Sequence, residues 1–282
     1  MLVLYVGLGC AQFLLLLADP RHATLFMLTS VLISLALVPT ALSVQPAPEF
    51  RMPAKIGFRE LYRGSPLGVV GVLIAGMITG VLFSIGPVYA RLSGLDTRGV
   101  ATFMGVSILA AVVTQYPVGK LSDRMDRRTV IAWVCTLAAL VATGIVVLRE
   151  PPLYVLFALA AVFGGLALTL YSLALSHVND HLQPSQMVAA SGALILLNGA
   201  GAAIGPVIVG FLMEPFGARA YFASLAVLAG LLALFDLWRK ARRAPVPAGQ
   251  KGPFLSAQPQ AASGRIVAGA AEEHARATEE SS

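Results

Sequence analysis

The run Gly119-Lys-Leu-Ser-Asp-Arg-Met-Asp-Arg-Arg128 decides the fold, because it separates two stretches apolar enough to cross a bilayer, 100–118 and 130–148. A strongly charged connector cannot lie in hydrocarbon, so the chain leaves the membrane here and re-enters it. Its cations, Lys120, Arg124, Arg127 and Arg128, assign that side to the cytoplasm, since short loops rich in Lys and Arg stay inside.

Working outward, the same alternation of apolar run and polar connector covers most of the chain. The sequence is 57% hydrophobic and 12% charged, against roughly 25% charged in soluble proteins. Eight apolar spans are expected: 1–18, 23–44, 67–90, 100–118, 130–148, 153–176, 187–213 and 221–237. Each approaches or exceeds the roughly 20 residues a helix needs to cross the hydrocarbon. Transmembrane strands would be about half as long and would alternate in polarity. The fold class predicted is an all-α polytopic membrane protein with eight transmembrane helices.

Alternate connectors differ in charge. One set carries Arg51, Lys55, Arg59 and Arg63, then the quoted run, then Arg239, Lys240, Arg242 and Arg243 of the tail. The other holds Arg21, Arg91, Arg98, Arg149 and Arg219. This asymmetry predicts that both termini are cytoplasmic. The net charge of +6 then reflects topology and attraction to anionic lipid heads. No aromatic residues interleave with the basic clusters as nucleic-acid stacking requires, so no nucleic-acid partner is expected. Cys10 and Cys135 fall inside apolar spans, where packing roles are expected and neither a disulfide nor a metal site.

Four divisions follow. Residues 1–44 form a helical hairpin turned at Asp19-Pro20. Residues 45–66 form a cytoplasmic linker, in which Ile56, Phe58, Leu61 and Tyr62 alternate with cations, as suits either a short interfacial helix or a plain tether. Residues 67–238 form a six-helix bundle. Residues 239–282 lack the apolar density to fold and are expected to be a disordered tail.

The quoted run resembles the loop signature Gly-x-x-x-Asp-Arg-x-Gly-Arg-Arg of the major facilitator superfamily of secondary transporters. Gly119, Asp123, Arg124, Arg127 and Arg128 match, while Asp126 stands where the signature has its second glycine. Two helices, a basic linker and six helices, with the loop after the second of the six, resemble helices five to twelve of such a transporter. The resemblance implies a two-helix remnant of an N-terminal bundle beside a complete C-terminal bundle, the first four helices being absent. Met1 opens directly into an apolar run with no basic region before it, in keeping with that expectation. The resemblance also implies that Asp123 bonds to the amino end of a neighbouring helix, here the one starting at Met1. The arginines would then hold one side closed as a latch; the plainer alternative is a topology anchor.

Three further constellations stand out. In Asn198-Gly-Ala-Gly-Ala-Ala-Ile-Gly-Pro-Val-Ile-Val-Gly210, the residues Gly201, Gly205 and Gly210 allow close helix packing, and Pro206 either sits within that packing or bends the span. Gly86-Pro87 raises the same question. Gln115, Tyr171 and Asn198 are candidates for a substrate cavity near the midplane, or alternatively helix-to-helix glue. His177 and Asp180, three residues apart at the end of the sixth span, are candidates for a protonation-tuned gate.

No Asp, Glu, Lys or Arg lies at the centre of a span, so a proton-coupling carboxylate would sit at a span end, such as Asp19 or Asp180. No nucleotide-binding loop, catalytic triad or metal-ligand spacing is present in the sequence. The expected function is a secondary transporter of a small organic solute working by alternating access, in a bacterial inner membrane, without a cofactor and with a proton as candidate coupling ion. The rival expectation is a non-transporting membrane protein that pairs with another chain.

Overall fold

The computed structural model describes residues 2–18, 22–42, 57–149, 151–182 and 184–240, and among these every regular element is helical. In chain order they are α1 (Leu2–Gln12), a 3-10 turn (Phe13–Leu16), α2 (Thr24–Leu42), α3 (Phe58–Gly64), α4 (Pro66–Leu92), α5 (Thr97–Arg124), α6 (Arg127–Leu148), α7 (Leu153–Asn179), α8 (Pro184–Phe216) and α9 (Arg219–Lys240). Helices α4 to α9 are each long and apolar enough to cross a membrane; the apolar stretches Val3–Leu16 and Thr24–Pro39 are shorter. The expected linker from 45 to 56 and the tail from 241 lie outside the described residues. Within the linker's remainder, α3 buries Leu61 and leaves Phe58 and Tyr62 exposed.

The charged connector is mostly helix. Lys120 and Arg124 lie on α5, Arg127 and Arg128 on α6, and only Met125 and Asp126 stand between. Asp126 explains the break: its carboxylate accepts from the Arg128 backbone N–H at 3.2 Å and so caps α6. A glycine at this position would offer no such cap.

Small residues set how the helices run. Ser107 on α5 meets Gly164 on α7, and Gln115 meets Ser172, so these two helices are parallel. On α4, Gly76 and Gly80 lie against the backbone of Asn198 and Ala202, making α4 and α8 parallel. Gly68 lies against Val178 and Gly71 against Ala174, so α4 and α7 are antiparallel. Lys240 at the end of α9 donates to the Thr129 hydroxyl, near the start of α6, at 2.8 Å. The six helices therefore alternate in direction, and the α5–α6 connector, the end of α7 and the end of α9 gather at one end of the bundle.

Helix α7 is its axis, buried continuously from Phe163 to Asn179. At the opposite end an aromatic cluster closes the core. Tyr89 stacks on Tyr221 with ring centres 4.8 Å apart, and Phe222 meets Tyr89 edge-on at 5.0 Å. Helix α1 lies across α5 and α7, where the Tyr5 hydroxyl donates to the Leu168 carbonyl at 2.9 Å. Helix α2 is different: its described side chains are exposed, apart from the half-buried Leu25 and Leu28.

Candidate functional site

The charged end is built around Arg127, which is 1% exposed. Its Nη1 donates to the Asp180 carboxylate at 2.8 Å and to the Ser176 carbonyl at 2.7 Å. Its Nη2 lies 3.4 Å from Asp123. The Ser176 carbonyl, which also accepts from the Asp180 backbone N–H at 3.1 Å, lies in the last turn of α7, where the negative end of the helix dipole favours a guanidinium. Arg127 is thus a cap for α7 supplied by α6, with Asp180 neutralising it.

Asp123 faces Arg127 within this cluster. Gly9 lies against Leu109 and Phe13 against Gly105, which fixes α1 antiparallel to α5. That register brings Leu2 level with Tyr116, roughly 10 Å along the helix axis from Asp123. Met1 lies outside the described residues. Gly119 is buried on α5, while Lys120 and Arg124 are exposed.

Asp180 is therefore engaged by Arg127. The His177 ring sits edge-on to that of His181, with centres 4.9 Å apart. The His177 carbonyl lies 2.8 Å from Nδ1 of His181.

Arg128 is also buried but belongs to a second cluster. Asp236 of α9 is fully buried, with Arg128 and Asp126 of α6 and Lys240, one turn on along α9, the charged groups nearest in effect, and neither of its carboxylate oxygens has a hydrogen-bonding partner. Cys135 is buried beside it. The sequence reading passed over Asp236 because it ends an apolar span and is followed by cations that read as a solvated tail. Its spacing from Lys240, four residues on one helix face, was the available signal. Asp19, the other carboxylate considered, lies outside the described residues.

The candidate cavity residues share one depth but not one wall. Gln115 Nε2 donates to the Ser172 hydroxyl at 3.3 Å, joining α5 to α7. Asn198 Nδ2 donates to the Val72 carbonyl at 3.1 Å, joining α8 to α4. The Tyr171 hydroxyl and Gln115 Oε1 are buried without a hydrogen-bonding partner. Asn198 and the donor side of Gln115 thus serve as glue, while Tyr171 and Gln115 Oε1 keep unused capacity.

The glycine stretch divides. Gly201 and Gly205 lie against the backbone of Leu73 and Met77, whereas a side chain at Gly210 would meet nothing within 4 Å. Gly210 is therefore not a packing position, and the seam's other half is Gly76 and Gly80. Helix α8 continues through Pro206. A proline removes the N–H that would bond the carbonyl four residues back, here Ala202. That carbonyl is the one against which Gly80 packs, a closeness that suits Cα–H···O contact. Gly86 is also tight, facing Met104 and the Tyr221 hydroxyl, and α4 continues through Pro87.

A bundle of alternating apolar helices, with a capped charged connector at one end and polar groups at mid-depth, is what a multi-pass transporter half looks like. The sequence profile of the Major Facilitator Superfamily matches residues 1–194 and 69–270, and the chain belongs to that family. It is similar to an uncharacterized MFS-type transporter of Enterobacter sp. (strain 638), 31% identical over 188 residues, 66% of this chain and 47% of the relative. It is also similar to the uncharacterized MFS-type transporter YcaD of Salmonella arizonae, 26% identical over 253 residues, 88% of this chain and 64% of the relative. The chain thus spans about half to two thirds of the length of the curated relatives it matches. No solved structure matches it. It is a multi-pass membrane protein of a transporter family.

Proposed function

We propose that α4 to α9 form one wall of a secondary transporter that moves a small organic solute across a bacterial inner membrane by alternating access, with the charged end and both termini cytoplasmic. The observation that carries this reading is the buried Arg127–Asp180 pair. Burying two charges costs more than an exposed pair returns, so such pairs are best understood where they specify a state rather than add stability. Here the pair holds α6 against the end of α7 and keeps the charged end of this wall together, so that the wall moves as one body when the cytoplasmic end opens and closes. Gln115 and Tyr171 are the polar groups offered to a solute at mid-depth, and the uncharged spans favour one that is neutral or weakly polar where it touches this wall. A proton is the candidate coupling ion. On this reading the chain crosses the membrane eight times, α1 and α2 included, and works without a cofactor and without catalysis.

Proteoliposomes holding only this chain test the reading, with a panel of neutral and weakly polar solutes presented under an imposed proton gradient. Saturable flux of one solute, altered by Tyr171→Phe, supports it. No flux of any solute overturns it for the chain alone. A second reading then gains ground, in which the chain pairs with another membrane chain. The exposure of α2, an apolar helix with few neighbours of its own, favours that arrangement. Co-purification of a stoichiometric membrane partner would distinguish it.

A further inference from the structure

Between α8 and α9, at the end of the bundle away from the charged cluster, lies a groove of about 480 Å3. Its inner end is Met77 of α4 with Gly205 of α8, at the level of the glycine seam, and its outer end is Phe216 with Arg219, where the chain turns into α9. From Gly205 to Phe216 the helix rises roughly 16 Å, close to the depth of one leaflet's hydrocarbon, half of roughly 30 Å. The groove is apolar along this length; Ser224 is the one hydroxyl on its wall and Arg219 the one charge. Ile208, Phe216 and Val227 on its rim are exposed on the outside of the bundle, so it opens sideways, where the bilayer lies.

Size and charge select the occupant. A groove this long, apolar along its wall and open to one side, suits a single extended hydrocarbon chain. Water gains nothing from an apolar bore. Arg219 is exposed and forms no ion pair with Glu214, the carboxylate on the same turn. A guanidinium placed at headgroup level is suited to a phosphate, which it can bind through two N–H groups at once.

We infer that this groove is a phospholipid site: an acyl chain of the leaflet facing the α8–α9 turn lies along it, with an anionic headgroup on Arg219. The inference needs the membrane setting but not transport, so it stands or falls separately from the proposed function.

Native mass spectrometry of the full chain, released from micelles containing phosphatidylglycerol or phosphatidylcholine of identical chains, tests it. The wild-type chain should retain the anionic lipid about fivefold more strongly, the usual value of one cation near the headgroups. Arg219→Gln should abolish that preference while still retaining lipid. Ser224→Trp, which fills the groove, should release both lipids with the melting temperature unchanged; if it fails to fold, the smaller plug Ala223→Leu takes its place. Retention that ignores both substitutions is general lipid coating and overturns the site. So does a preference that survives Arg219→Gln, or a dimer dissolved by the groove-filling change.

Discussion

Arg127, the first residue of α6, and Asp180, the residue after α7, form an ion pair of 2.8 Å whose side chains are 2% and 3% exposed. The adjacent Arg128 is buried as well, in the part of α6 that faces Asp236 of α9, whose two carboxylate oxygens are buried without a hydrogen-bonding partner. Arg127 thus ties α6 to α7 at this end of the bundle, while Lys240 of α9 donates to Thr129 of α6.

Removing one member of the Arg127–Asp180 pair leaves a buried charge uncompensated, which costs about 3–5 kcal/mol. Asp180→Ala and Arg127→Met should each lower the thermal midpoint in detergent sharply. The double variant should recover much of the loss, because the apolar replacement strands no charge. Additive losses in the double variant would mean the two side chains are not coupled.

The glycine seam predicts a position-specific response. Gly76→Ala and Gly201→Ala each push a methyl into a neighbouring helix's backbone, and overpacking of this kind costs about 1–3 kcal/mol. Gly210→Ala, with nothing nearby, should be neutral or slightly stabilising. Thermal unfolding of the three variants in one detergent checks this; a loss at Gly210 as large as at Gly201 would refute the seam.

Cys135 reports on the second cluster without any added label site. It is buried between α6 and α9, and the other cysteine, Cys10, is exposed. In a Cys10→Ser background, Asp236→Ala should loosen α9 and raise the rate of maleimide attack on Cys135 several-fold. An unchanged rate would show that Asp236 does not hold the two helices together.

Orientation is checked at Met125, which is 39% exposed in the break between α5 and α6. Met125→Cys, with both native cysteines replaced by serine, should react with a membrane-impermeant maleimide only in inside-out vesicles. Labelling of intact cells would invert the assigned topology.

The spans were legible in the sequence because hydropathy is a local property: α4 to α9 fall where the apolar runs 67–90 to 221–237 were read, extended at their ends by a few polar residues. Gly201 and Gly205 were legible because their spacing puts them on one face. Their counterparts Gly76 and Gly80 have the same four-residue spacing, but nothing in the sequence says which two helices meet. The Arg127–Asp180 pair spans 53 residues, so it exists only once α6 and α7 have been set side by side. Tyr5, whose hydroxyl reaches Leu168 across 163 residues, was invisible for the same reason. Asp126 was readable only as a departure from the family signature; its value as a cap depends on where α5 stops.

The interlocked glycines also limit which movements the protein can make. Neither α4 nor α8 can slide or spin against the other without backbone striking backbone, so the two travel as a single strut. Pro206 follows the last meshed position immediately. Any freedom in α8 is therefore confined to its distal third, from Val207 onward, the portion that also borders the lipid groove. A change in what fills that groove would be felt first by the one stretch of this strut still able to yield.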